Sequence, residues 1–228
     1  MNDCFKRIIL DITDLRKGPI DGVHYFPNED NIMEGRALIF GPEGTPYERG
    51  NYIFSFEFPK QYPYEPPKLT YETNDGMTRF NPNFYRSGKV CLSLLNTWEG
   101  DQWSACQSIR SILVTLQMTF NENPLLNEPG INWNSHGTII HKYNQIIQYK
   151  NMEVSILNYL NKKLQVTPEI YELIKEHFIE SRPELVALLD ELHASNEQAF
   201  RMEIGVYNQN QHVDYAKLKN KLMKIKLN

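Results

Sequence analysis

From about residue 73 to residue 107 the chain carries Phe80, Phe84, Tyr85, Val90, Leu92, Leu94, Leu95, Trp98 and Trp103 with no sustained period, helical or extended. Side chains this large and apolar favour burial, yet no single face of a helix or strand can bury an aperiodic run. The segment therefore has to cross a surface supplied by its neighbours, and a long irregular stretch inside a compact domain is usually functional. The flanks can supply that surface. Upstream, Tyr52-Ile53-Phe54-Ser55-Phe56-Glu57-Phe58 sets aromatic rings on every second position, the period of a sheet with one buried face. Downstream, Ile109, Ile112, Leu113, Leu116 and Phe120 fall at helical spacing, and Asn123-Pro124 closes that helix.

The remainder organises around this frame. Phe5, Ile8, Ile9, Ile12 and Leu15 make residues 4 to 16 an amphipathic opening helix that Gly18-Pro19 ends. Arg36 to Phe40 reads as a strand running into the turn Gly41-Pro42-Glu43-Gly44-Thr45-Pro46, and a further strand at about Lys68 to Glu72 follows Pro66-Pro67. From Thr138 onward the pattern is helical almost throughout. Thr167-Pro168-Glu169 predicts one helix start, and Ser181 with Glu184, spaced as a capping box, predicts another. The expected units are residues 1–150 and a helical C-terminal extension, 151–228. At the end, Lys217, Lys219, Lys221, Lys224 and Lys226 interleave with Leu218, Leu222 and Ile225. This reads as a solvated helix face, with an acidic partner or a membrane surface as the alternative.

Charge and cysteines exclude several classes. With 24 Lys plus Arg against 28 Asp plus Glu, the 228 residues carry a formal charge of −4, against a nucleic-acid module that must neutralise phosphates. No apolar stretch approaches the roughly 18 residues of a membrane span. The opening residues Met1 to Arg7 lead into a short Ile8-Ile9-Leu10 run, too little for a signal-peptide core, so a cytoplasmic or nuclear setting is expected. Cys4, Cys91 and Cys106 are then expected as free thiols, and the absence of paired Cys or His spacings argues against a metal. Cys91 lies well inside the aperiodic segment and on no buried helical face, which makes it the strongest candidate nucleophile of the three. A papain-type hydrolase would need a histidine, and the nearest in sequence, His136, lies in no supporting motif.

The run Phe80-Asn81-Pro82-Asn83-Phe84-Tyr85-Arg86-Ser87-Gly88-Lys89-Val90-Cys91-Leu92 resembles the active-site segment of ubiquitin-conjugating enzymes, where the Asn of His-Pro-Asn precedes the thioester-forming Cys at the spacing of Asn83 and Cys91. Gly41 to Gly50 resembles the family's first hairpin, Phe58 to Leu69 its proline-rich loop, and Trp103-Ser104 the pair before its second helix. Asn81 to Tyr85, Asn96-Thr97-Trp98-Glu99-Gly100 and Glu122-Asn123-Pro124 through Asn127-Glu128-Pro129-Gly130 are similar to the Z-type branch, which is charged by the alternative ubiquitin-activating enzyme. The resemblance implies an α+β UBC fold: N-terminal helix, four-stranded antiparallel meander, long active-site crossing segment, central helix.

It also implies roles. Cys91 would accept ubiquitin from the activating enzyme as a thioester and pass it to a ligase cysteine or a substrate lysine; a thiolate both attacks and leaves well. Asn83 would either donate to the developing oxyanion or pin the loop. Asn81, standing where most of the family has His, reads as a loop-geometry residue. Many members place an Asp beside the acceptor lysine. The matching stretch here offers Leu126, Asn127 and Glu128, so the acid is Glu128 shifted along the chain or is absent, and absence is the expectation. Tyr64, Ala105 and Cys106 stand in ligase-binding loops, with Cys106 otherwise read as a packed small hydrophobe, and Lys6 and Arg7 on the helix that meets the activating enzyme. Trp98 and Trp103 read as packing anchors. Implied partners are ubiquitin, its activating enzyme and a RING or HECT ligase, without nucleic acid or membrane. No cofactor is expected, because the activating enzyme spends the ATP. The alternatives are a non-catalytic ubiquitin-binding scaffold of the same fold and a carrier of another ubiquitin-like modifier.

Overall fold

The computed structural model of the chain describes residues 3–227, so the expected outer limits 1 and 228 lie outside it. Helix α1 (Asp3–Lys17) leads into an antiparallel meander of β1 (Val23–Pro27), β2 (Glu34–Phe40), β3 (Asn51–Glu57) and β4 (Lys68–Tyr71). The crossing segment follows, then α2 (Ile109–Thr119), whose start is closed by a reciprocal Ser108–Ser111 capping box. This is the expected α+β order. The strand missing from the periodicity reading, β1, is short and pairs only with β2. Its half-buried residues show no alternation to detect.

One row of the sheet, Ala37, Phe54 and Tyr71, is in register across three strands and fully buried. Phe84 and Phe120 lie against it, their ring centroids 5.1 and 6.3 Å from that of Phe54. The alternation in β3 implied one buried face, but Leu38 and Ile53, paired on the opposite face, are buried as well. The reason lies in the extension. Helix α5 (Pro168–Ser195) reaches that face, where His177 stacks on Phe40 with centroids 3.9 Å apart. Its Nδ1 lies 3.0 Å from Asn51 Oδ1, and the Asn51 amide donates to Ser155 O, so the carbonyl end of Asn51 is left to accept from the ring.

Helix α3 (Trp133–Lys150) continues through a widened π turn at Asn151–Leu157 into α4 (Asn158–Leu160), so the expected division at 150/151 falls inside a continuous helical run. The run is fastened to the sheet by polar bonds: Tyr52 donates to Asn151 Oδ1 at 2.6 Å, and Thr73 pairs with Tyr159 at 2.7 Å.

One expectation for the extension is corrected. Ser181 caps nothing; it lies inside the single helix α5, where its hydroxyl donates to His177 O at 2.7 Å one turn before Pro183. The extension is mainly helical, as expected, and also holds one hairpin. Residues Phe200–Ile204 (β5) and Gln209–Val213 (β6) form a two-stranded hairpin ahead of α6 (Tyr215–Met223). The hairpin escaped notice because β5 and β6 are rich in polar residues and lack a long alternating apolar run. On α6, Leu218, Leu222 and the following Ile225 are buried, while Lys219 pairs with Asp190 and Lys221 with Glu153.

Candidate active site

The crossing segment is held by its own backbone and by two asparagines. Cys91 N donates to Asn83 O at 2.8 Å, and Asn83 Nδ2 returns a bond to Cys91 O at 2.8 Å. The pair at the motif spacing is thus a reciprocal clasp, and pinning is what Asn83 does in this state. Asn81 is fully buried behind it: its amide donates to Thr119 O and Tyr47 Oη, and its Oδ1 accepts from Asn83 N at 2.9 Å. The loop-geometry reading of Asn81 is what these bonds describe. Gly88, at φ +87°, makes the turn between Tyr85 and Lys89 in a conformation other residues adopt at a cost.

Cys91 is only 3% exposed, and its Sγ donates to Thr97 O at 2.7 Å. It lines a hollow of about 290 Å³ with Asn83, Tyr85, Trp98, Asn127, Glu128, Arg79 and Tyr207. Among the described residues no histidine borders that hollow; His136 instead accepts from Asn132 N at the start of α3. Among the described residues, no three His, Cys, Asp or Glu side chains come together to hold a metal ion.

The structure brings Glu128 to this hollow. The short turn Pro124–Asn127 ends at Glu128 and positions it. Asn127 braces that turn, accepting from Asn121 and donating to Thr119 O at 3.3 Å, while Leu126 is exposed beside it. Sequence reasoning missed Tyr207. It lies between β5 and β6, and its hydroxyl donates to Glu128 Oε2. Burial and the Glu128 carboxylate hold the Tyr207 phenol well above its usual range, so it stays protonated and a donor. Arg79 lies between two rings, its guanidinium carbon 3.5 Å from the Tyr85 centroid and 4.9 Å from that of Tyr207. No local signal could have found this cluster, since its parts come from three distant segments.

Other expected site residues lie elsewhere. Tyr64 is 80% exposed on its loop. Cys106 is exposed rather than packed, and Ala105 beside it is half-buried. Trp103 is a packing anchor, buried with its indole donating to Pro63 O at 2.6 Å, and so joins its own segment to the proline-rich loop. Trp98 is 47% exposed at the rim of the Cys91 hollow and so is a lining residue, not an anchor. Arg7 is committed within the fold: it pairs with Asp11 at 2.9 Å and donates to Ala105 O and Gln107 O. Lys6 is exposed and pairs with Asp3 at 3.4 Å. Cys4 is buried on the inner side of α1.

Comparison with known proteins adds a second line of observation. The family model described as "Ubiquitin-conjugating enzyme" matches residues 7–171. The chain is 36% identical over 226 residues to "Ubiquitin-conjugating enzyme E2 Z" of Xenopus tropicalis, covering 98% of this chain and 71% of that one. To the protein of the same name in Homo sapiens it is 37% identical over 217 residues, covering 94% and 60%, and to that of Danio rerio 40% over 178, covering 78% and 54%. The chain thus spans from about half to seven-tenths of the length of the relatives it matches.

Proposed function

The chain belongs to the ubiquitin-conjugating enzyme family, in its Z branch, and we propose that it carries ubiquitin as a thioester on Cys91. The family works between a ubiquitin-activating enzyme and a ubiquitin ligase. In the proposed cycle the Cys91 thiolate attacks the thioester carbonyl of activated ubiquitin, forms a new C–S bond and releases the activating enzyme's thiol. A ligase cysteine, or a substrate lysine brought by a RING-type partner, then takes the acyl group from Cys91. ATP is consumed by the activating enzyme, so this chain needs no cofactor, and the reaction would run in the cytoplasm or nucleus.

The observation that carries the reading is the clasp between Asn83 and Cys91 at the edge of an open hollow. It supports a seat for the acyl carbon at that edge. One amide hydrogen of Asn83 is spent on Cys91 O, and the other is available to the oxygen that becomes negative during transfer; such a donor is worth on the order of a hundred- to a thousandfold in rate. The bond from Sγ to Thr97 O is given up when the sulfur forms the thioester.

The test is charging with ubiquitin, ATP and each of the two ubiquitin-activating enzymes in turn, read on reducing and non-reducing gels. The wild type is expected to gain one ubiquitin in a band that thiol removes, and Cys91→Ser to give none or a thiol-resistant ester. A folded wild type that neither enzyme charges would overturn the carrier reading in favour of a scaffold or another modifier.

A further inference from the structure

The catalytic hollow is completed by the C-terminal extension. Its wall includes Tyr207, from the turn between β5 and β6, more than a hundred residues from Cys91 in sequence. That turn is held rigidly. Tyr207 and Asn208 both have positive φ, 59° and 48°, a region that non-glycine residues occupy only when neighbours enforce it. The enforcing bonds come from the crossing segment: Arg86 donates to Tyr207 O at 2.6 Å, and Arg79 N donates to Gln209 Oε1 at 2.6 Å. The Arg79 guanidinium, itself tied to Asn81 O and Pro82 O, packs against the ring. A tyrosine held in this way has its hydroxyl in one place, and that place is Glu128 Oε2.

We infer that Tyr207 is a positioning residue for transfer to lysine: it fixes the Glu128 carboxylate at the rim of the Cys91 hollow, where Glu128 receives the acceptor ammonium group. This rests on the carrier reading above and deepens it. A carboxylate has about four lone-pair sites, and the Tyr207 bond occupies one of them. The remaining ones can accept an ammonium hydrogen while the group is steered toward the thioester. Glu128 takes one proton from the lysine. The neutral amine attacks the thioester carbonyl, a C–N bond forms and the C–S bond breaks. Cys91 leaves as thiolate, recovers the second amine proton, and Glu128 releases its own to water. A thiol acceptor needs no such ammonium site. The hairpin would therefore govern transfer to lysine and leave transfer to cysteine largely alone.

The experiment isolates discharge from charging. Wild type, Tyr207→Phe, Glu128→Gln and the double variant are charged with ubiquitin, the activating enzyme is quenched, and loss of the thioester is followed against free lysine and against N-acetylcysteine over pH 7 to 9. Tyr207→Phe is expected to slow discharge to lysine about tenfold, below the roughly hundredfold that a 1 Å misplacement can cost. The double variant should be no slower than Glu128→Gln alone, since the tyrosine acts through the glutamate. Discharge to the thiol should change less than twofold, and the lysine deficit should narrow as pH rises and free amine becomes abundant. Equal lysine rates in wild type and Tyr207→Phe, an equal loss on both acceptors, or multiplicative losses in the double variant would each overturn the inference while leaving the carrier reading in place. A wild type that cannot be charged would overturn both.

Discussion

Single residues show how one composition of side chains divides into chemistry and support. Asn83 and Cys91 were legible through the resemblance of the run from Phe80 to Leu92 to the family's active-site segment. No such run marks His177, yet it holds α5 against the sheet. Burial, helped by the nearby Arg49 and His24 charges, lowers its pKa to about 4, so it is neutral when folded. In the unfolded chain it takes up a proton near pH 6.5. Between those values the unfolded state binds more protons, so stability is full above about pH 6.5 and falls as pH drops toward 4. Partial exposure of the ring limits the effect to roughly 1–2 kcal/mol. Urea unfolding at pH 7 and pH 4.5 is expected to show that loss, and His177→Gln, which cannot titrate, to flatten this part of the slope.

Among the elements, the contact of β3 with the π turn is the one most dependent on a single position. Gly50, just before β3, lies so close to the turn that a Cβ there would overlap Asn151 Oδ1 and come within 2.5 Å of Ser155 Oγ. The same asparagine accepts from Tyr52 and donates to Glu48 O, so it cannot yield without breaking both bonds. Gly50→Ala is expected to destabilise by about 2–4 kcal/mol, the sum of overpacking and a lost buried bond, measured by the urea midpoint. The strand and helix patterns of residues 36–120 were readable because each buries a face against the same core. β1 and the β5–β6 hairpin were not, since their packing partners are chosen by the fold and not by an internal period. The capping-box spacing at Ser181 misled for the converse reason: the local motif was present, but packing of Phe178, Ser181, Leu185 and Leu189 along one side carried the helix through it.

The whole molecule behaves as one hydrophobic cluster running from α1 to Ile225. Its two parts are also joined by charge. Lys150, nearly buried, bridges Asp75 at the start of the crossing segment and Glu153 at the π turn, and Glu153 continues to Lys221 on α6. These cations hold the Asp75 and Glu153 carboxyls below their usual range despite the opposing effect of burial. Removing residues 196–228 would strip α5 of its contact with α6, leave Glu153 without Lys221 and remove the wall formed by Tyr207. The shortened chain is expected to melt on the order of 10 °C or more below the full chain, as several lost kilocalories require at this size, in a calorimetric comparison.

Local pattern carried the order of the main elements and the aperiodic crossing segment, and resemblance of one short run to the family's active-site segment gave the candidate thiol and its asparagine partner. All of these rest on neighbours or on regular periods that a linear reading can detect. The doubly covered sheet, the course of α5 through Ser181, the presence of Glu128 beside Cys91 and the reach of Tyr207 to it depend on residues as far apart as Asn51 and His177 or Glu128 and Tyr207. Such pairs have no period and no fixed spacing. They exist only once burial of the common core has brought distant segments within bonding distance.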